Sequence, residues 1–181
     1  MRKLILVTIV GFAISATGFA QGTLNFASAA AGSVWRTTNQ YGQLASGAAY
    51  MADLYYGAAG STEAQLTALN LPATYNTGAQ AGFFTGGPRT IPGFAGGTTI
   101  RAQVRVWSGG SSYGDPANTE VGKTILFNIT LATPPATPVN MTGLNGQNLS
   151  ITPLPFPEPT GFSLAALGLV MAHIVRRRRK L

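Results

Sequence analysis

The chain has 181 residues, of which only 9% are charged, and its formal net charge of +7 comes largely from basic clusters at residues 2–3 and 176–180. Residues 21–156 carry five basic and four acidic residues, which argues against a nucleic-acid-binding domain, whose basic residues would lie on a folded face. The chain has no cysteine and one histidine, His173, which excludes disulfide scaffolds, thiolate metal sites and a Ser-His-Asp triad in the middle of the chain.

The first twenty residues are predicted to be a secretory signal peptide. Residues 2–3 are basic, residues 4–16 are mainly apolar, and residues 18–20 (Gly-Phe-Ala) have the small-x-small pattern that precedes a cleavage site. Cleavage after Ala20 would make Gln21 the first mature residue. An uncleaved anchor is the alternative, but the apolar run is shorter than the roughly 20 residues that a spanning helix needs.

The middle of the chain, residues 21–133, is predicted to form one β-rich domain. Residues 98–107 alternate with a period of two, which is typical of a half-buried strand. The side chains expected to face the core are Ile100, Ala102, Val104 and Val106. Those expected to face outward are Arg101, Gln103, Arg105 and Trp107.

Other strands are expected along the same stretch. Residues 124–131 alternate in the same way, with Ile125, Phe127, Ile129 and Leu131 expected inward and Thr124, Asn128 and Thr130 outward. Strands are also expected at 23–27 and 50–56, with weaker candidates at 82–85, 139–144 and 149–151. One or two helical turns are expected at 62–69, where Thr62 and Gln65 match a capping box. Among the aromatic residues, Tyr55, Tyr56, Phe83 and Phe84 are expected in the core.

Glycine and proline clusters at 86–88, 91–93, 96–97, 108–111 and 114–116 are interpreted as turns between the strands. The predicted fold class is therefore all-β, as an antiparallel β-sandwich or an open barrel. Seven of the eleven prolines lie between residues 134 and 159. Residues 134–156 are accordingly expected to be a Pro-rich linker or the last short strands.

Few residues of the middle region offer chemistry. Asp115 and Glu120 could form a carboxylate pair, and with Asn118 they could bind Ca²⁺, but Asp115 precedes a proline and ordinary turn chemistry is favoured. We therefore expect no catalytic residue, cofactor or metal. The outward strand face bearing Arg101, Arg105 and Trp107 is a candidate glycan contact, with a solvated or covered face as the alternative.

Three Asn-x-Ser/Thr sites lie at Asn128, Asn140 and Asn148. Their spacing satisfies the acceptor motif but does not decide whether a glycan is attached. Modification of these asparagines is therefore left open.

The C-terminal end has three parts in a fixed order. The motif 157–160 is followed by the apolar run 161–175, expected to be a short membrane helix, and then by a basic cluster that would stay on the cytoplasmic side. The motif residues are Pro157, Glu158, Pro159 and Thr160. The basic residues are Arg176, Arg177, Arg178, Arg179 and Lys180. His173 near the end of the run is expected to be a tolerated polar residue without a catalytic role.

This tail resembles the PEP-CTERM protein-sorting signal. The resemblance covers about 25 residues, 157–181, and it implies recognition by exosortase, an integral-membrane cysteine protease or transpeptidase, with cleavage near the motif during export. It implies nothing about the activity of the exported part. We expect an inner-membrane precursor whose product reaches the cell surface or the extracellular matrix.

Two functions remain for that product. The favoured one is a non-enzymatic surface or matrix protein, whose partners are exosortase, the membrane before processing and, in the matrix, polysaccharide. The alternative is a carbohydrate-binding module that uses the exposed strand face with Trp107.

Overall fold

The computed structural model describes residues 20–155. Residues 1–19 of the predicted signal peptide, and the tail with its sorting motif, membrane helix and basic cluster, lie outside the described residues. The strands of the described range are β1 (Gln21–Ala27), β2 (Ala29–Ala30), β3 (Ser33–Val34), β4 (Thr37–Asn39), β5 (Tyr50–Ala58), β6 (Thr67–Ala68), β7 (Ala73–Thr74), β8 (Thr85–Ala95), β9 (Thr99–Ser108), β10 (Glu120–Lys123), β11 (Phe127–Thr130), β12 (Val139–Asn140) and β13 (Leu149–Pro153). Single 3-10 turns lie at Glu63–Gln65, Gly78–Gln80 and Thr142–Leu144. None of the helical turns within residues 20–155 is long and apolar enough to cross a membrane.

Most strands belong to two sheets, which confirms the predicted all-β fold class for residues 20–155. The smaller sheet has the order β12-β1-β8, and the larger one runs β4-β13-β10-β9-β5-β6, with β11 also paired to β9 and β7 to β5. Most pairs are antiparallel, but β12 is parallel to β1 and β13 is parallel to β4. Strands β2 and β3 form a separate two-stranded pair.

Side chains of both sheets contribute to one buried cluster. Leu24 and Phe26 of β1 are fully buried in it together with Leu54 of β5 and Val104 of β9. Phe84 connects the aromatic part of this cluster, because its ring lies 4.6 Å from that of Phe26 and edge-on to those of Trp35 and Tyr75. Burial of this apolar surface is the main favourable contribution to folding.

The alternation predicted for residues 98–107 is confirmed for the inward side chains, which are fully buried in β9. The pattern predicted for 124–131 is only half right. Phe127, Ile129 and Leu131 are buried, but Ile125 is 54% exposed and Thr124 is buried.

A β-bulge causes this difference. Lys123 pairs with Arg105 and Phe127 with Ala102, so three residues of one strand face two residues of β9. The extra residue shifts the alternation by one position, and the Thr124 hydroxyl instead accepts the backbone N–H of Val104 at 3.0 Å.

Two of the predicted turns are wrong. The Gly-Pro clusters at 86–88 and 91–93 lie inside β8, which pairs with β1 through two register shifts. Proline lacks the N–H that a central strand must donate, but β8 is an edge strand and both Pro88 and Pro92 are exposed. The weak strand predicted at 82–85 overlaps only the first residue of β8.

The segment after residue 133 belongs to the fold. β12 pairs with β1, and β13 lies between β4 and β10. Met141, Leu144 and Ile151 are fully buried in the main cluster. In the described part of the range, residues 134–155, the chain therefore forms short strands, and the core extends beyond the expected boundary at 133.

The helical turns expected at 62–69 reduce to the single 3-10 turn Glu63–Gln65. The reciprocal contact of the capping box is present, because the Gln65 side-chain oxygen accepts the backbone N–H of Thr62 at 2.8 Å. The chain then becomes extended at Leu66 and pairs with β5 as β6, which ends the turn.

Candidate functional site

The candidate site lies on the outer face of β5 and β9, opposite the core. The register places Asp53 beside Arg105, Tyr55 beside Gln103 and Met51 beside Trp107, and paired residues point to the same face of a sheet. Residues 59–72 and 109–119 form two loops that contact the side chains of this face, and residues 67–68 of the first loop pair with β5 as β6. The two loops thus cover part of the face.

Trp107 is buried, at 2% relative exposure, and its predicted exposed position is wrong. Its indole N–H donates to the carbonyl of Gly110 at 3.0 Å, so the 109–119 loop turns back over the ring. A tryptophan exposes a large apolar surface, and covering it stabilises the loop as well as the strand. Trp107 therefore cannot serve as an open stacking platform for a polysaccharide chain.

Arg105 lies between the two loops and the strand. Its guanidinium lies 4.0 Å above the ring of Tyr55 and 5.2 Å from that of Tyr113. It donates to the Gln103 side chain at 2.9 Å and to the carbonyl of Glu63 at 3.2 Å. Its donors and its charge are largely engaged within the protein, so Arg105 joins the covering layer to the sheet.

Glu63 extends this arrangement to β10 of the large sheet. Its carboxylate accepts from Lys123 at 2.7 Å and lies 3.7 Å from Arg105. The hydrogen bond from Lys123 is the main reason that the pKa of Glu63 is lowered. The exposed Glu63–Lys123 pair holds the 3-10 turn against β10 with a modest energy, because solvent screens these two charges.

Arg101 lies on β9 away from this cluster. Its guanidinium donates to the side-chain oxygen of Asn128 at 3.1 Å, across the β9–β11 pair. The three expected glycan contacts are therefore not brought together as one exposed surface. Arg101 faces the exposed side of β11, whereas Arg105 and Trp107 lie under the loops.

The other asparagines of the three acceptor motifs are also used by the fold. Asn140 donates to the carbonyl of Ala31 and accepts from Asn25, at 2.9 and 2.8 Å. Asn148 accepts the backbone N–H of Arg36 at 3.0 Å. These contacts tie the C-terminal segment to the first strands.

A cavity of about 130 Å³ opens between the two loops. It is lined by Asp53, Tyr55, Asn70, Pro72, Trp107, Ser111, Ser112 and Tyr113. Two tyrosine rings, Tyr55 and Tyr113, stand edge to face with their centres 6.2 Å apart. The cavity thus combines aromatic walls with a carboxylate and an amide, which is the composition of many small-molecule sites.

Asp53 is the buried charged group of this cavity. Its Oδ1 accepts the backbone N–H of Leu54 at 2.9 Å and of Leu71 at 3.3 Å, and its Oδ2 accepts that of Asn70 at 2.9 Å. Asn70 adopts a positive φ of 58°, a conformation that asparagine tolerates, and this turn aims both loop N–H groups at the carboxylate. Burial raises the pKa of Asp53, and the three N–H donors with the charge of Arg89 offset this only in part.

The 109–119 loop is held by its own polar side chains. The Asp115 carboxylate accepts from the backbone N–H groups of Ser111 and Ala117, each at 2.8 Å. The Asn118 oxygen accepts the Gly110 N–H at 3.0 Å, while its nitrogen donates to the carbonyls of Ser112 and Tyr113. The turn interpretation of Asp115 is therefore confirmed.

Within residues 20–155, no group of three or more His, Cys, Asp or Glu side chains converges as metal ligands would.

Glu120 lies in a different place, on a groove of about 370 Å³ at the end of β5, β9 and β10. Tyr50, Ser108 and Thr119 line the same groove. Burial, followed by the nearby Glu120 carboxylate, raises the pKa of Tyr50. Asp115 is not among the residues that line this groove, so Asp115 and Glu120 are not joined in one site.

Sequence reasoning missed Asp53, Asn70 and Tyr113 as cavity residues and placed Tyr55 in the core. Tyr56, Phe83 and Phe84 are buried, as expected, but Tyr55 is only half-buried on the outer face. The period of two in β5 puts Asp53 and Tyr55 on the face opposite Leu54, and that signal could have found them.

Comparison with protein-family models, curated proteins and solved structures finds no match to this chain.

Proposed function

We propose that this chain is a non-enzymatic exported protein of the cell surface or extracellular matrix, sorted by exosortase through its C-terminal tail. The observation that carries the proposal is the ordered tail of motif, apolar run and basic cluster behind an N-terminal secretory pattern. Exosortase and the inner membrane are the partners of the precursor. The exported part is a two-sheet β-sandwich whose role is structural.

The limits of the folded part support this processing route. β1 begins at Gln21, directly after the proposed signal cleavage site. At the other end, Leu154 still donates its backbone N–H to the carbonyl of Thr119 at 3.1 Å. Both proposed cuts therefore fall outside the strands that the structure describes within residues 20–155, so neither cut removes one of them.

The same geometry restricts where the tail is cut. Pro157 follows Leu154 by three residues, and three extended residues span at most about 10 Å. The processing enzyme must therefore act close to the surface of the folded domain. A cut before Leu154 would remove its hydrogen bond to Thr119, and a cut further upstream would remove part of β13, so we place the cut at or after residue 155.

Mass spectrometry of the mature protein from cells that export it with their own machinery tests the proposal. We expect a product that begins at Gln21 and ends between residues 155 and 160. Glu158→Gln should slow tail processing if the carboxylate pairs with a basic group of the enzyme, whereas Glu63→Gln, a matched change on the folded domain, should not. A membrane-bound product that keeps residues 161–180 would contradict the sorting proposal and make the tail a permanent anchor.

Carbohydrate binding is a second candidate function of the exported part. Carbohydrate binding through an exposed Trp107 face is no longer supported, because the Trp107 ring is covered. The cavity beside it offers tyrosine rings and hydrogen-bonding groups instead. A pull-down with extracellular polysaccharide, with and without Tyr113→Ala, separates a binding module from a purely structural protein.

A further inference from the structure

The Asp53 cavity is lined by both aromatic and polar residues. Tyr55, Tyr113 and Trp107 are the aromatic residues, and Asp53, Asn70 and Ser111 contribute polar groups. Aromatic rings bury the C–H surface of a ligand, while carboxylate, amide and hydroxyl groups fix its orientation through hydrogen bonds. Such a mixed lining suits a ligand that is itself apolar on its faces and polar around its rim.

The Asp53 carboxylate keeps acceptor capacity for such a ligand. Its Oδ1 already accepts two backbone N–H groups, but its Oδ2 accepts only that of Asn70. A carboxylate oxygen has two acceptor positions, so Oδ2 can accept one further donor from the cavity. The Asn70 side chain makes only a long contact, 3.4 Å, with the carbonyl of Ala68, and its amide can turn to a ligand at little cost.

The charges around the cavity favour a neutral ligand. Asp53 is the buried charge in the cavity wall, and it would repel an anion. Arg89 and Arg105 are the nearby cations, but neither lines the cavity. The Arg89 guanidinium donates to the carbonyl of Leu71 at 3.4 Å, and that of Arg105 is already held by Tyr55, Gln103 and Glu63. No cation is therefore left in the wall to receive a carboxylate or sulfate group.

We propose that this cavity binds a single ring of a neutral sugar, as found in extracellular polysaccharide. The tyrosine rings cover a C–H face of the sugar, and Asp53 Oδ2 and the Asn70 amide bond its hydroxyl groups. The cavity is small, about 130 Å³, so the proposal is limited to one ring and does not extend to a longer segment of the polymer. This proposal rests on carbohydrate binding by the exported part, the second candidate function, and is independent of the sorting route.

The tryptophans give a direct readout of binding. The chain contains two of them, and Trp107 lines the cavity whereas Trp35 lies in the core. The full chain, labelled with ¹⁵N and held in detergent micelles, is titrated with methyl glucoside, methyl galactoside, methyl mannoside and N-acetylglucosamine, and separately with glucuronate. We expect at least one neutral sugar to shift the indole signal of Trp107 and leave that of Trp35 in place, and glucuronate to bind about tenfold more weakly or not at all.

Two variants and one control locate the site. Tyr113→Ala removes an aromatic wall, and Asn70→Gly removes the amide while glycine accepts the positive φ; each should weaken binding about tenfold. Tyr41→Ala, which alters a tyrosine that is 77% exposed on another loop, should leave the affinity unchanged. The proposal is overturned if no neutral sugar shifts the Trp107 signal, if glucuronate binds as well as the neutral sugars, or if Asn70→Gly binds as tightly as the parent chain. None of these results bears on processing of the tail, which mass spectrometry reports separately.

Discussion

Trp107 and Gly110 are joined by a hydrogen bond of 3.0 Å from the indole N–H to the backbone carbonyl. This bond turns the loop after β9 back over the strand that precedes it. It converts a side chain that alternation places on the outer face into a buried one. On the outer face of the large sheet, the 109–119 loop consequently packs over the Trp107 ring and covers it.

Replacing Trp107 with alanine is expected to destabilise the fold by about 3–5 kcal/mol, as for other large buried aromatic residues. The change would leave a cavity under the 109–119 loop and free the carbonyl of Gly110. Urea unfolding followed by circular dichroism measures the difference. Tyr41→Ala is the control, expected within about 0.5 kcal/mol of the parent chain; an equally small effect at Trp107 would contradict its burial.

Arg105→Lys is expected to destabilise the protein by about 1–2 kcal/mol although the charge is kept. The guanidinium stacks on Tyr55 and donates to both Gln103 and the carbonyl of Glu63, and a lysine ammonium cannot do all three. Chemical denaturation of both chains gives the difference. Arg101→Lys is the control, because it gives up one exposed hydrogen bond to Asn128 and should lower the free energy of unfolding by less. Equal decreases for the two substitutions would argue against a special role for Arg105.

The strands that sequence reasoning predicted well are those with a strong, uninterrupted period of two. In β9, the alternate residues Ile100, Ala102, Val104 and Val106 face a core large enough to select one register. The pattern alone therefore predicts that these side chains are buried. The same reasoning failed at Ile125, because a bulge of one residue reverses the pattern and leaves no signal of its own. β8 was missed because its glycines and prolines are typical of turns, and only its edge position makes them tolerable in a strand.

The candidate site was harder to predict than the fold for a physical reason. Alternation says which face of a sheet a side chain occupies, but it does not say whether that face is covered. Trp107 is buried by a loop rich in glycine and serine, a composition that predicts a solvent-exposed loop and gives no sign of a cover. The environment of Asp53 depends on Asn70 and Leu71, which follow it by 17 and 18 residues, and nothing local to Asp53 indicates that contact.

The Asp53 carboxyl should make stability fall as the pH rises. Its pKa is raised in the folded state by burial. The folded chain therefore binds the proton more tightly than the unfolded chain, in which the aspartate has its ordinary pKa of about 3.9. The stability that this group contributes is complete below that pH and is lost as the pH rises through the folded-state pKa. Asp53→Asn does not titrate, so the stability of this variant relative to the parent chain should increase with pH.

Urea unfolding of the two chains at several pH values between about 4 and about 7 measures this difference. The lowered pKa values of Glu63 and Asp115 give the opposite slope, but both residues are present in both chains and cancel in the comparison. A constant offset between Asp53→Asn and the parent chain would show that the carboxyl titrates normally. A relative loss of stability with rising pH would reverse the proposed direction.

The last strand should be required for folding, because β13 lies between β4 and β10 in the large sheet. Ile151 of β13 is fully buried, and Ile151→Ala is expected to destabilise by about 2–5 kcal/mol. Ile125→Ala is a matched control, because the same chemical change at a side chain that is 54% exposed should cost about 0.5 kcal/mol or less. A chain that ends at residue 155 should unfold cooperatively in urea, whereas one that ends at Asn148 should not. Cooperative unfolding of the shorter chain would show that β13 is dispensable, and it would remove the reason for placing the processing cut at or after residue 155.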